Sequence, residues 1–120
     1  MSRFPVLKEN KEFRGVYYRG KSCVAPMLVS YARKNRLGET RVGITVSKKT
    51  GKAVQRNRCR RIIREAYASL LPRVREGYDL VFVARGRTPF CKTPQIAQVM
   101  EQQLTQLRVL QDDDSRRDSV

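Results

Sequence analysis

The sequence contains no histidine and no tryptophan, and only 11 of its 120 residues are acidic. Without histidine, and with no clustered carboxylates in the body of the chain, the usual proton-transfer side chains are missing. General acid–base catalysis by this chain alone is therefore not expected. The cysteines are odd in number (Cys23, Cys59, Cys91) and show no CxxC spacing. With no histidine to join them, they suggest neither a zinc site nor a disulfide framework, and reduced thiols are expected. No run approaches the roughly 18 apolar residues of a membrane span. The opening MSRFPVLKEN lacks the apolar core of a signal peptide. These absences lead to the expectation of a cytoplasmic protein that neither crosses nor binds a membrane.

What the chain has is positive charge. Its 26 lysines and arginines give a formal net charge of +15, while hydrophobic residues still make up 40%. That combination describes a folded basic domain of ordinary size. Asp112, Asp113, Asp114 and Asp118 lie in the last ten residues, so the body is more basic than the total implies. A field of this sign and strength favours a polyanion, and nucleic acid is the natural partner.

The hydrophobic pattern divides the chain into one domain, 1–110, and a tail, 111–120. The tail, QDDDSRRDSV, has nothing to bury and is expected to be disordered. Asn10 can cap a short helix over residues 11–19 that ends at Gly20, with Phe13, Val16 and Tyr17 on one side. Residues 21–33 read as extended, interrupted by Pro26. RVGITVS alternates, with Val42, Ile44 and Val46 on one face and Arg41, Gly43, Thr45 and Ser47 on the other. From Gly51 to about Leu71 the period is helical, and Pro72 stops it. YDLVFVAR is nearly all apolar and predicts a buried central strand. Thr93 and Pro94 then open a last helix whose inner face is Ile96, Val99, Met100, Leu104 and Leu107.

Residues 48–65 are the most unusual stretch. Lys48, Lys49, Lys52, Arg56, Arg58, Arg60, Arg61 and Arg64 precede its first acid, Glu65. On a helical wheel Cys59, Ile62, Ile63, Ala66 and Leu70 share an arc of about 100°, which is a core face. Arg58, Arg60, Arg61, Arg64 and Asn57 fall opposite, with Arg56 at the edge. Like charges at i, i+4 cost an isolated helix about 0.2–0.5 kcal/mol per pair. Solvated helix faces usually mix signs, and this one does not. The predominance of arginine suits forked hydrogen bonding to phosphate oxygens, so RNA or DNA is the expected ligand.

A competing motif lies upstream: residues 15–22, GVYYRGKS, satisfy GxxxxGK[ST]. A phosphate-binding P-loop needs an apolar strand before it and a helix after it. Here KENKEFR precedes and CVAPMLV follows, and the four intervening residues are too bulky to wrap amides round a phosphate. The match is read as accidental.

Gly43, Val46-Ser47-Lys48-Lys49, Gly51-Lys52-Ala53-Val54, Arg56-Asn57-Arg58, Arg60-Arg61 and Arg64-Glu65 together resemble the signature of the bacterial ribonuclease P protein subunit. Phe13, Val16, Gly20, Asp79, Val81, Ala84 and Arg85 match outside it. The resemblance covers about residues 7–108, and it departs at Arg60, where the family more often has lysine. It implies an α/β (α+β) two-layer sandwich of order αβββαβα with a left-handed βαβ crossover, against the usual right-handed rule. It also implies a ribonucleoprotein endonuclease that removes the 5′ leader from precursor tRNA. In such an enzyme the RNA subunit performs Mg²⁺-dependent hydrolysis, and the protein aids substrate and metal binding without holding a metal or a catalytic residue itself. No protein partner is required.

Two surfaces follow from the resemblance. Lys48, Lys49, Lys52, Arg56, Asn57, Arg58, Arg60, Arg61 and Arg64 would face the RNA subunit. Phe13, Tyr17, Val29, Tyr31 and Thr45 would line a cleft for the single-stranded leader, where aromatic faces suit unstacked bases. By composition alone, core packing explains Phe13 and Tyr17 equally well. The alternative function is a structural RNA-binding protein of ribosomal or chaperone type, which charge and aromatics cannot separate from the first.

Overall fold

The structure is a computed structural model that describes residues 4–111; the expected disorder of the acidic tail falls almost wholly outside them. Three helices and four strands follow in the order α1 (Asn10–Arg19), β1 (Lys21–Val24), β2 (Leu28–Lys34), β3 (Arg41–Thr45), α2 (Ala53–Leu70), β4 (Tyr78–Ala84), α3 (Thr93–Gln106). The sheet order is β1-β2-β4-β3, with β4 antiparallel to β2 and parallel to β3. The apolar run YDLVFVA is thus the inner strand its composition predicts, and α2 is the crossover between the two parallel strands.

α2 and α3 cover one face of the sheet. Leu28, Ala32, Leu80, Phe82, Ala84 and Val42 meet Cys59, Ile62, Ile63, Ala66 and Leu70 of α2 and Ile96, Met100 and Leu104 of α3. Alternation on the strands and 3.6-residue periodicity on the helices aim these side chains at one another. Tyr67 lies beyond the core arc read from the sequence, yet it is buried. Its ring makes a T-shaped contact with Phe4 at 4.7 Å between centroids and a tilted one with Phe82 at 5.6 Å, so the N-terminal segment widens this core. Gln103 is a buried polar residue satisfied by Ser30 Oγ, which donates to it at 2.5 Å, and by the Leu28 carbonyl, which accepts from it at 2.8 Å.

The opposite face is organised in three rows across the strands. Arg33, Asp79 and Arg41 form the first. Ser22, Tyr31, Val81 and Gly43 form the second, and Val24, Val29, Val83 and Thr45 the third. α1 crosses this face and packs Val16 with Leu7 on Val81. A Cβ on Gly43 would stand 2.4 Å from the Phe13 ring, so only glycine lets the helix lie this close. Gly20 ends α1 in extended backbone, where a Cβ would meet the Val16 and Ala32 carbonyls at 2.5 and 2.7 Å.

The N-terminus of α1 corrects the sequence reading. Asn10 is its first helical residue and Glu9 the cap. Glu12 closes the turn instead, its Oε1 accepting from the Lys8 and Glu9 amides at 2.9 Å each. The GxxxxGK[ST] match spans the end of α1 and the start of β1, so the helix precedes the strand, the reverse of a P-loop.

Candidate nucleic-acid interface

The basic segment begins where β3 ends. Lys48–Thr50 forms one 3-10 turn, Gly51 turns the chain with φ 149°, and α2 starts at Ala53. The amide of Lys52 donates to Gln55 Oε1 at 2.9 Å, which ties down the first turn. No acidic residue lies in that turn. Lys48, Lys49 and Lys52 therefore gather at the positive pole of the helix, an arrangement that only an anion relieves.

The wheel assignment holds except at Tyr67, which is buried, and Arg60, which is half-buried. Cys59, Ile62, Ile63, Ala66 and Leu70 are buried, whereas Lys48, Lys49, Lys52, Asn57, Arg58, Arg61 and Arg64 are exposed and Arg56 and Arg60 half-buried. Arg56 donates to the Gly51 carbonyl at 2.9 Å and so braces the turn that feeds the helix. Arg60 donates to Asn57 Oδ1 at 3.1 Å, which orients its guanidinium. No carboxylate of the described residues lies within 4.0 Å of any basic group of 48–64. The helix offers a row of unneutralised cations in a shape suited to a phosphate backbone.

The structure also brings together most of the residues expected for the second surface. The Tyr17 ring makes a T-shaped contact with Tyr31 at 4.9 Å between centroids, and its hydroxyl bonds to Thr45 Oγ1 at 2.7 Å. Thr45 shares its row with Val83 and Val29. Phe13 differs from the rest. It is half-buried against Gly43 and packs with the Leu7–Val16–Val81 cluster, beneath the helix and away from the open row. Tyr17 is 36% exposed and stands at the border between covered and uncovered sheet.

Beyond Tyr17 a groove of about 300 Å³ runs over Val29 and Val83 and is edged by Ser47, Lys49, Thr50 and Arg85. Lys49 belongs to the basic segment, so the two expected surfaces are continuous. Val24, 68% exposed, extends the same apolar row to the sheet edge. Val24 and Val83 were not among the expected residues, although the alternation that puts Val29 and Thr45 on this face places them there too.

The first row anchors α1. Arg41 grips Asp79 with two hydrogen bonds, Nε to Oδ1 at 2.9 Å and Nη2 to Oδ2 at 2.8 Å, and reaches Glu12 Oε2 with Nη1 at 2.6 Å. Asn35 adds a bond to Asp79 Oδ1 at 2.8 Å. The amides of Glu9 and Lys8, and then Arg41, hold the Glu12 carboxyl down at about 2 against the opposing effect of burial. Glu12 and Asp79 are thus committed to holding helix to sheet. Among the described residues no three His, Cys, Asp or Glu side chains gather to hold a metal ion. Nor is any described helix long and apolar enough to cross a membrane.

Comparison with known proteins separates the two functions left open by charge. The Ribonuclease P family model matches residues 1–108. The ribonuclease P protein component of Clostridium botulinum (strain Loch Maree) is 52% identical over 80 residues, which cover 66% of this chain and 72% of that one. That of Clostridioides difficile (strain 630) is 51% identical over 80 residues, covering 66% and 70%. Among solved structures, the RNase P protein of Staphylococcus aureus superposes with a TM-score of 0.77 at 32% identity, covering 87% of this chain and 95% of that one. That of Thermotoga maritima gives 0.72 at 26% identity, covering 81% and 92%. The chain belongs to the ribonuclease P protein family and is a subunit of the ribonucleoprotein that cleaves precursor tRNA.

Proposed function

We propose that the two surfaces divide the work of that enzyme. The outer face of α2 and the 48–52 segment grip the catalytic RNA subunit through its phosphates, with Arg58, Arg61 and Arg64 as direct contacts. Arg56 and Asn57 act one step back, bracing the turn and aiming Arg60. The groove over Val29 and Val83, extended along the sheet by Thr45 of the same row with Tyr17 and Tyr31 beside it, takes the single-stranded 5′ leader of precursor tRNA. A leader lying there would stack on the aromatics and pass Lys49 and Arg85 with its phosphates.

The observation that carries this reading is the join. The apolar row reaches Lys49 of a basic segment whose cations have no described carboxylate within 4.0 Å, so the two RNA ligands can lie side by side. Mg²⁺ fits the RNA side of this partnership, because the carboxylates nearest the groove face, Glu12 and Asp79, are already spent on Arg41. The same reading has the protein working in the cytoplasm, where precursor tRNA is made.

Salt dependence tests the first half. Arg58→Ala, Arg61→Ala and Arg64→Ala should each weaken binding to the RNA subunit and flatten the log–log salt slope by about 0.7–0.9 per contact. The thermal stability of the free protein should hold, because these side chains touch no described carboxylate. An unchanged slope in all three would make α2 a merely solvated face.

A further inference from the structure

Phe90 is one of the large side chains, with Tyr18, Leu37 and Val54, that the sandwich and the groove leave exposed. It ends the 3-10 turn Thr88–Phe90 between β4 and α3, and its ring is 75% exposed. A single exposed apolar residue is ordinary on a protein surface. What sets this one apart is that its neighbours are buried and bonded. Thr88 is fully buried, its hydroxyl accepting from the Arg85 amide at 2.8 Å and donating to the Met27 carbonyl at 2.7 Å. Pro89 is buried beside it. The Phe90 amide donates to the Arg87 carbonyl at 3.1 Å, and the buried Cys91 thiol donates to that same oxygen at 3.2 Å. The turn is fastened on both sides of a ring that it holds out into water.

Charge and position indicate what the ring meets. Arg85, Arg87 and Lys92 surround it in sequence and are exposed, and no described carboxylate lies within 4.0 Å of any of them. The turn packs against α2. Just past Cys91, the Thr93 hydroxyl donates to Glu65 Oε1 at 3.0 Å, on the outer side of α2 and next in sequence to Arg64. The exposed aromatic therefore stands beside α2, and Arg85 of the same loop lines the groove together with Lys49 of the basic segment, so the ring borders the surface assigned above to the RNA subunit. An aromatic face flanked by cations is the combination that captures an unstacked base and its phosphate. A ring carried on a turn whose backbone is already fixed leaves less of the chain to be ordered on doing so.

We propose that Phe90 is a stacking platform for an unpaired nucleotide of the catalytic RNA subunit, adding a salt-insensitive contact beside the salt-sensitive arginine face. The proposal rests on the reading that α2 faces that RNA, and the test keeps the two apart. Phe90→Ala, Phe90→Leu and Phe90→Trp proteins are titrated with a transcript of the organism's own catalytic RNA across a salt series, beside Arg61→Ala. The alanine and leucine variants should bind about 5- to 150-fold more weakly, the range of one lost base stack. Tryptophan should restore most of the affinity. The salt slope should stay that of the parent, since stacking releases no counterion, and the melting temperature should not move.

Affinity within about twofold of the parent for Phe90→Ala would overturn the proposal. So would loss of affinity only for leader-bearing tRNA in the holoenzyme, which would assign the ring to the leader. If Phe90→Ala weakens binding while the arginine variants change neither affinity nor slope, Phe90 stands as an RNA contact and the reading of α2 falls.

Discussion

The two faces of the sheet are built from the same alternation and end in opposite conditions. One is sealed by α2 and α3 along its length, and Leu80, Phe82, Ile63, Ile96 and Met100 are lost to solvent entirely. The other is crossed by a single ten-residue helix that covers one row, is pinned by ions at the row below, and leaves the row above only partly covered, with Val29 buried, Val83 and Thr45 half-buried and Val24 exposed. The difference shows how a small domain separates stability from binding. The sealed face supplies the folding free energy, so the other can keep apolar side chains uncovered for a ligand. The same helix, α2, closes the first face with one side and presents arginines with the other.

Breaking the sealed face should have the largest effect. Phe82→Ala removes a fully buried ring from the centre of the sheet and should cost about 3–5 kcal/mol. Chemical denaturation would show the loss, and binding to the RNA subunit and to precursor tRNA should fall together. Gly43→Ala attacks the half-open face. A methyl there collides with Phe13, and overpacking of this kind costs about 1–3 kcal/mol. Because the collision lifts α1 off the groove, precursor binding should suffer more than assembly with the RNA subunit.

Acid should loosen the same helix more gently. The Glu12 carboxyl sits at about 2 in the folded protein, below the ordinary value of 4.5. Between those values the unfolded chain binds more protons than the folded one, so the stability Glu12 adds is full above about 4.5 and is lost as the pH falls toward 2. Thermal melts of the parent and Glu12→Gln across that window should converge at the acid end.

The sealed face was legible in the sequence because it obeys two periods. The burial of Ile62, Ile63, Ala66 and Leu70 and the central place of β4 required no knowledge of topology. Tyr67 escaped because its burial depends on Phe4, a residue some sixty positions away whose approach no local period announces. The arginine face was legible for the complementary reason, that uniform charge without acids contradicts ordinary surface composition. The half-open face was harder. Val29, Tyr31 and Thr45 came through the family resemblance, and pairing register was needed to add Val24 and Val83 to their row. The Arg41 bridge between Glu12 and Asp79 joins three separate elements, and its one local hint was an acid opening an apolar strand. Asn10 was the more usual cap, but Glu9 took the position because Glu12 could reach back to its amide.

The central claim is that the open row binds the leader, and Tyr17 at its border tests this most directly. Holoenzymes carrying Tyr17→Ala are compared with the parent for binding to precursor tRNA with a leader of several nucleotides and to the same mature tRNA. Loss of one stacking platform should cost precursor binding about 1–3 kcal/mol and leave mature tRNA nearly unaffected, with Tyr17→Phe close to the parent. Equal losses for precursor and mature tRNA, together with a large fall in the protein's melting temperature, would show that Tyr17 only holds α1 to the sheet and would contradict the account.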